Sequence, residues 1–63
     1  MKPGDLVQVR EGVFSGGKVG VVLRSVDDPV DHRTLLMVLF HDGPRRMHPY
    51  NLLELDAQGK EKA

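Results

Sequence analysis

The chain has 63 residues, no cysteine, and nine basic against nine acidic side chains, for a net charge of +0. That length holds one domain with a marginal core, burying only about 60% of its unfolded surface; disulfide staples are excluded, and the charge balance lacks the basic surplus of a dedicated nucleic-acid coat. No apolar run approaches the roughly 20 residues of a membrane span, and Met1-Lys2-Pro3-Gly4-Asp5 leads straight into a strand signal without a secretory leader.

Pro3-Gly4-Asp5 opens a turn, because Pro fixes φ and Gly permits unusual φ. Leu6 to Arg10 then alternates, with Val7 and Val9 sharing one face of a first strand. Glu11 to Gly17 is a loop bent at Gly12, Gly16 and Gly17. Its one aromatic residue, Phe14, is expected to fold over an open barrel end, the alternative being a ring that stacks on a ligand. Lys18 to Val26 is the second strand. Gly20 within it weakens pairing unless a bulge, a bend or a close backbone approach requires it. Asp27 to Arg33 is a polar connection rich in turn formers.

Thr34 to Phe40 is the third strand. Its apolar run would also suit a helix, but it is short and stops at Asp42-Gly43-Pro44, a hairpin signal. Arg45 to His48 returns as the fourth strand, Pro49 to Leu52 forms one 3₁₀ turn, and Leu53 to Leu55 closes the set. The polar remainder lacks periodicity and reads as frayed. Five short strands without a long helix specify an all-β fold: a five-stranded, strongly bent, partly open antiparallel barrel over 1–56, with a disordered polar tail over 57–63. Its expected centre is Val7, Val9, Val22, Val38 and Phe40.

Gly4-Asp5-x-Val7-x-Val9 followed by Gly17-x-x-Gly20-x-Val22 resembles the opening of Src-homology 3 (SH3)-like barrels of the KOW type. His48 to Leu55 resembles the 3₁₀ turn and final strand that close such barrels. Leu39-Phe40-His41-Asp42-Gly43, a basic strand and this closure also look like short uncharacterised proteins encoded by bacteriophages, cyanophages among them. The resemblance spans about positions 3 to 56. It implies a small barrel acting in the host cytoplasm or in a virion. A proline-peptide groove is not implied, since such grooves are lined by several aromatic side chains and this chain has one Tyr, two Phe and no Trp.

No enzyme chemistry is expected. A thiol nucleophile is excluded, and Ser15 and Ser25 lie outside any nucleophile-elbow context. Asp27, Asp28 and Asp31 lack the ligand spacing of a calcium loop, and His32, His41 and His48 fall short of a four-ligand zinc set. His41 and His48 are expected toward the same end of strands three and four. No cofactor, metal or small-molecule substrate is therefore expected.

Two surfaces remain as candidates. If Gly20, Val22, Leu36, Val38 and Phe40 point inward, then Val19, Val21, Leu23, Leu35, Met37 and Leu39 form one apolar outer face. Solvated antiparallel sheets normally carry polar residues there, and large apolar patches mark interfaces. The face is either a docking surface for a protein partner or a second copy, or is covered by the bent sheet, Phe14 and the tail. Lys18, Arg24, Arg33, Arg45, Arg46 and His48 form a modest basic edge. It either contacts phosphates or an acidic partner, as in a KOW-like nucleic-acid-binding domain, or guards an exposed strand edge. The leading expectation is a non-enzymatic protein-interaction module.

Overall fold

The alternation around Val7 and Val9 needs a partner layer, and the computed structural model supplies it by bending one sheet on itself. The structure describes residues 1–14 and 16–62. Ser15, one of the two serines set aside above, and Ala63, the last residue of the tail, lie outside them. The strands are β1 (Leu6–Val9), β2 (Val19–Asp27), β3 (Thr34–Phe40), β4 (Gly43–Met47) and β5 (Leu52–Glu54), with a 3₁₀ turn at Pro49–Asn51. They form one antiparallel sheet in the order β4-β3-β2-β1-β5. The edge strands β4 and β5 are not joined by hydrogen bonds, so the sheet stays open. No helix among the described residues is long and apolar enough to cross a membrane.

All five expected core residues are buried, and they cluster with Leu36 and Leu52. Sequestering side chains of this type contributes about 1.5–3 kcal/mol each, which is the main force holding so short a chain folded. Gly20 is explained by close approach. A Cβ there would lie 2.7 Å from both the Leu39 carbonyl oxygen and Val38 Cγ1, and 2.9 Å from Phe40 Cδ1. The missing side chain lets β2 settle directly on β3.

Three expectations require correction. Phe14 is not a plug: it is 87% exposed, and the loop residue packed against the core is its neighbour Val13. The loop turns there through hydrogen bonds from Val13 N to Arg10 O at 3.4 Å and from Gly16 N to Val13 O at 2.8 Å. Adjacent residues in such a turn point different ways, and the compact valine is the one that fits. The fourth strand begins at Gly43, not Arg45, because the hairpin turn is the two residues His41-Asp42, with Phe40 opposite Gly43 and Leu39 opposite Pro44. Pro44 is tolerated because β4 is an edge.

Residues 56–62 are also not frayed. Gln58 N and Lys60 N both donate to Asp56 Oδ1 at 2.9 Å, closing a turn. Leu55 then pairs with Glu61, and Lys62 N donates to Glu54 O at 2.9 Å. The returning segment lies along the outer edge of β5, giving its carbonyl a partner that water would otherwise supply.

Candidate interaction face

Cross-strand partners share a face of the sheet, so register determines what the outer side carries. Val21 lies between Leu6 and Leu39, and Leu39 between Val21 and Pro44. Val19 lies opposite Gln8, which in turn lies opposite Leu53. Val19, Val21, Leu23 and Leu39 are 47, 38, 44 and 45% exposed. Four aliphatic side chains on two adjacent strands therefore meet solvent where polar residues are the norm.

Two expected members of the face sit differently. Leu35 is buried, with only 8% of its surface exposed, and Met37 is half-buried. Both lie beyond a bulge that the pattern of residue types does not reveal. The β2–β3 register shifts between Val22 and Arg24, so Leu23 is an extra residue with no partner on β3. A bulge bends its strand and sharpens the twist. The ribbon beyond it, where Val26 lies opposite Leu35, curls away from the plane that presents Val21 and Leu39.

The expected basic residues separate into distinct groups. Lys18 Nζ and Arg45 Nη2 both reach Asp42 Oδ2 at 3.1 Å. The Lys18 hydrogen bond, assisted by the charges of Lys18 and Arg45 and partly offset by desolvation, holds the Asp42 carboxyl below its ordinary pKa. Arg24 and Arg46 both lie opposite Met37, from β2 and β4, and form no ion pair among the described residues. Arg33 lies in the β2–β3 loop and His48 at the start of the 3₁₀ turn. Arg45 and Arg46 fall on opposite faces, opposite Val38 and Met37.

His41 and His48 do not approach one end of the hairpin; they bracket β4, one in the turn before it and one just after it. The Asp28 carboxylate accepts hydrogen bonds from Val30 N at 2.9 Å and Asp31 N at 3.5 Å, so it organises its own loop. No cluster of three or more metal-binding side chains occurs among the described residues. Lys18, Val19, Phe40, His41 and Asp42 line a recess of about 180 Å³, below the roughly 300–1,000 Å³ usual for small-molecule sites.

One surface contact escapes sequence reasoning. The His48 and Tyr50 rings stack with centroids 4.9 Å apart, while Arg10 Nε donates to Tyr50 O at 2.7 Å. The sequence separation of 40 positions between Arg10 and Tyr50 leaves no local signal for that contact. No protein-family model matches the chain, and neither a curated protein nor a solved structure matches it.

Proposed function

We propose that this chain is an SH3-like small barrel that works as a non-enzymatic protein-interaction module, docking through the outer face of β2 and β3. The observation that carries the reading is the exposure of Val19, Val21, Leu23 and Leu39 side by side. Leaving such carbon in water forgoes about 25 cal/mol for each Å² that a partner would cover. The open five-stranded sheet, its bent β2 and the 3₁₀ turn before β5 support the barrel assignment. The resemblance to short bacteriophage proteins supports a role as a virion component or a host-directed accessory factor.

Affinity capture from a cell lysate, with the folded Val21→Asp variant as the parallel bait, tests the proposal. Proteins retained by the wild-type chain and lost by the variant are the expected outcome. Identical sets on both baits refute it.

A second reading, contact with nucleic acid, is favoured by Arg24 and Arg46 standing without a counter-ion among the described residues. Binding of that kind weakens steeply with salt, whereas apolar docking does not.

A further inference from the structure

The chemistry of the outer face is more selective than its hydrophobicity. Every strand position whose register assigns it to that side is apolar, Gln8, or one of the two arginines. The carboxylates of the strands fall elsewhere: Asp27 lies opposite Thr34, on the alternate side from Val26, and Glu54 lies opposite Val7, on the core side. Asp42 sits in the hairpin turn and is already held by Lys18 and Arg45. The face thus offers aliphatic carbon and uncompensated positive charge, with no acid of its own.

We infer that its occupant is an acidic, aliphatic segment of a different protein, and not a second copy of this chain. The inference rests on the reading of this face as a docking surface. A two-fold dimer would set the face against itself, and Arg24 and Arg46 would meet carbon or each other with no carboxylate to neutralise them. Burying such charges unpaired is costly. A foreign segment bearing Asp or Glu supplies the missing counter-charge and fixes its own register by doing so.

The recess beside Val19, at the hairpin end of the face, gives the segment an anchor point; the one acid lining it is Asp42, already held by Lys18 and Arg45. Its volume of about 180 Å³ suits one aliphatic or aromatic side chain, since an apolar cavity of about 150 Å³ accepts a benzene molecule. Val19 and Arg24 share this side because the Leu23 bulge lies between them, and the bend there makes their separation shorter than the roughly 16 Å of five regular strand residues. An extended partner, whose same-face positions alternate, therefore carries its anchor and its acidic group about four residues apart.

Selection from a random peptide display library tests this. The baits are the wild-type chain, the Arg24→Glu/Arg46→Glu double variant and Val21→Asp, each checked for folding by circular dichroism. The expected result is enrichment by the wild-type bait of peptides pairing an aliphatic anchor with Asp or Glu. A synthetic consensus peptide then binds the double variant roughly tenfold more weakly and Val21→Asp not measurably. Sedimentation of the wild-type chain alone gives a monomer.

Enrichment of acid-free peptides that bind the double variant equally well overturns the acidic partner while leaving the docking face standing. A concentration-dependent dimer dispersed by Val21→Asp overturns it in favour of a second copy. Binding of a single-stranded oligonucleotide that needs both arginines but not Val21 overturns it in favour of nucleic acid. If no peptide is enriched and the chain stays monomeric, the docking face itself fails.

Discussion

Gly20→Ala tests the packing argument most directly, because one methyl group is the whole perturbation. The added carbon would sit 2.7 Å from the Leu39 carbonyl oxygen and from Val38 Cγ1, and 2.9 Å from Phe40 Cδ1. Val38 is fully buried and the Leu39 oxygen belongs to the backbone, so neither of the two nearest atoms can readily yield. Overpacking of this kind costs about 1–3 kcal/mol. Alanine restrains the unfolded chain and recovers about 0.5–1 kcal/mol. The steric effect wins, leaving a net loss of about 1–2 kcal/mol. A domain of this size loses about 4–8 °C in Tm per kcal/mol, so Tm falls by roughly 5–15 °C. Thermal and urea unfolding followed by far-ultraviolet circular dichroism measure it, with an unchanged denaturant slope confirming that only stability moved. Gly12 is the control: its φ is +86° and nothing lies within 4 Å of an added Cβ. There Asn, which tolerates that backbone, is milder than Ala; at Gly20 the larger Asn is the worse of the two. An unchanged or higher midpoint for Gly20→Ala refutes the close-approach account.

Two further outcomes are expected. Val13→Ala lowers stability by about 1 kcal/mol by emptying a contact on the core cluster, whereas Phe14→Ala stays within about 0.5 kcal/mol; urea midpoints showing the reverse would restore Phe14 as the plug. Asp42→Asn removes the negative charge shared by Lys18 and Arg45 while keeping an acceptor oxygen. Because the folded-state pKa of Asp42 is depressed, its stabilisation is present above the unfolded value of about 3.9 and disappears as pH falls through the lower folded value. The wild-type and variant midpoints therefore differ at neutral pH and converge below that window; a gap that persists at pH 2 rules out the ionic origin.

The strands were legible because their signals are local. Val7 and Val9 alternate, Gly20 interrupts an otherwise apolar strand, and Asp42 with Gly43 announces a hairpin. The same local reading put Pro44 in the turn, because it takes the topology to reveal that β4 is an edge where proline is tolerated. The bulge at Leu23 left no trace, since Val-Val-Leu-Arg-Ser reads equally well with or without a skipped partner. The burial of Leu35, beyond that bulge, left none either. Phe14 misled because ring size suggested burial, when the choice between neighbours was made by the turn geometry around Val13. The candidate face was readable as an apolar excess, but its want of carboxylates emerged only once register showed which side Asp27 and Glu54 occupy.

The return of residues 60–62 along β5 has an effect on how this ribbon can propagate. A sheet that never closes has two margins where another chain can continue the hydrogen-bond ladder. One is capped by the molecule's own terminal segment, through Lys62 N to Glu54 O and the Leu55–Glu61 bridge. The other is interrupted by Pro44, which has no proton to donate, and flanked by Arg45 and Arg46. Trimming the chain after Asp56 would unseal the first margin and turn a dead-ended ribbon into one that its neighbours can lengthen.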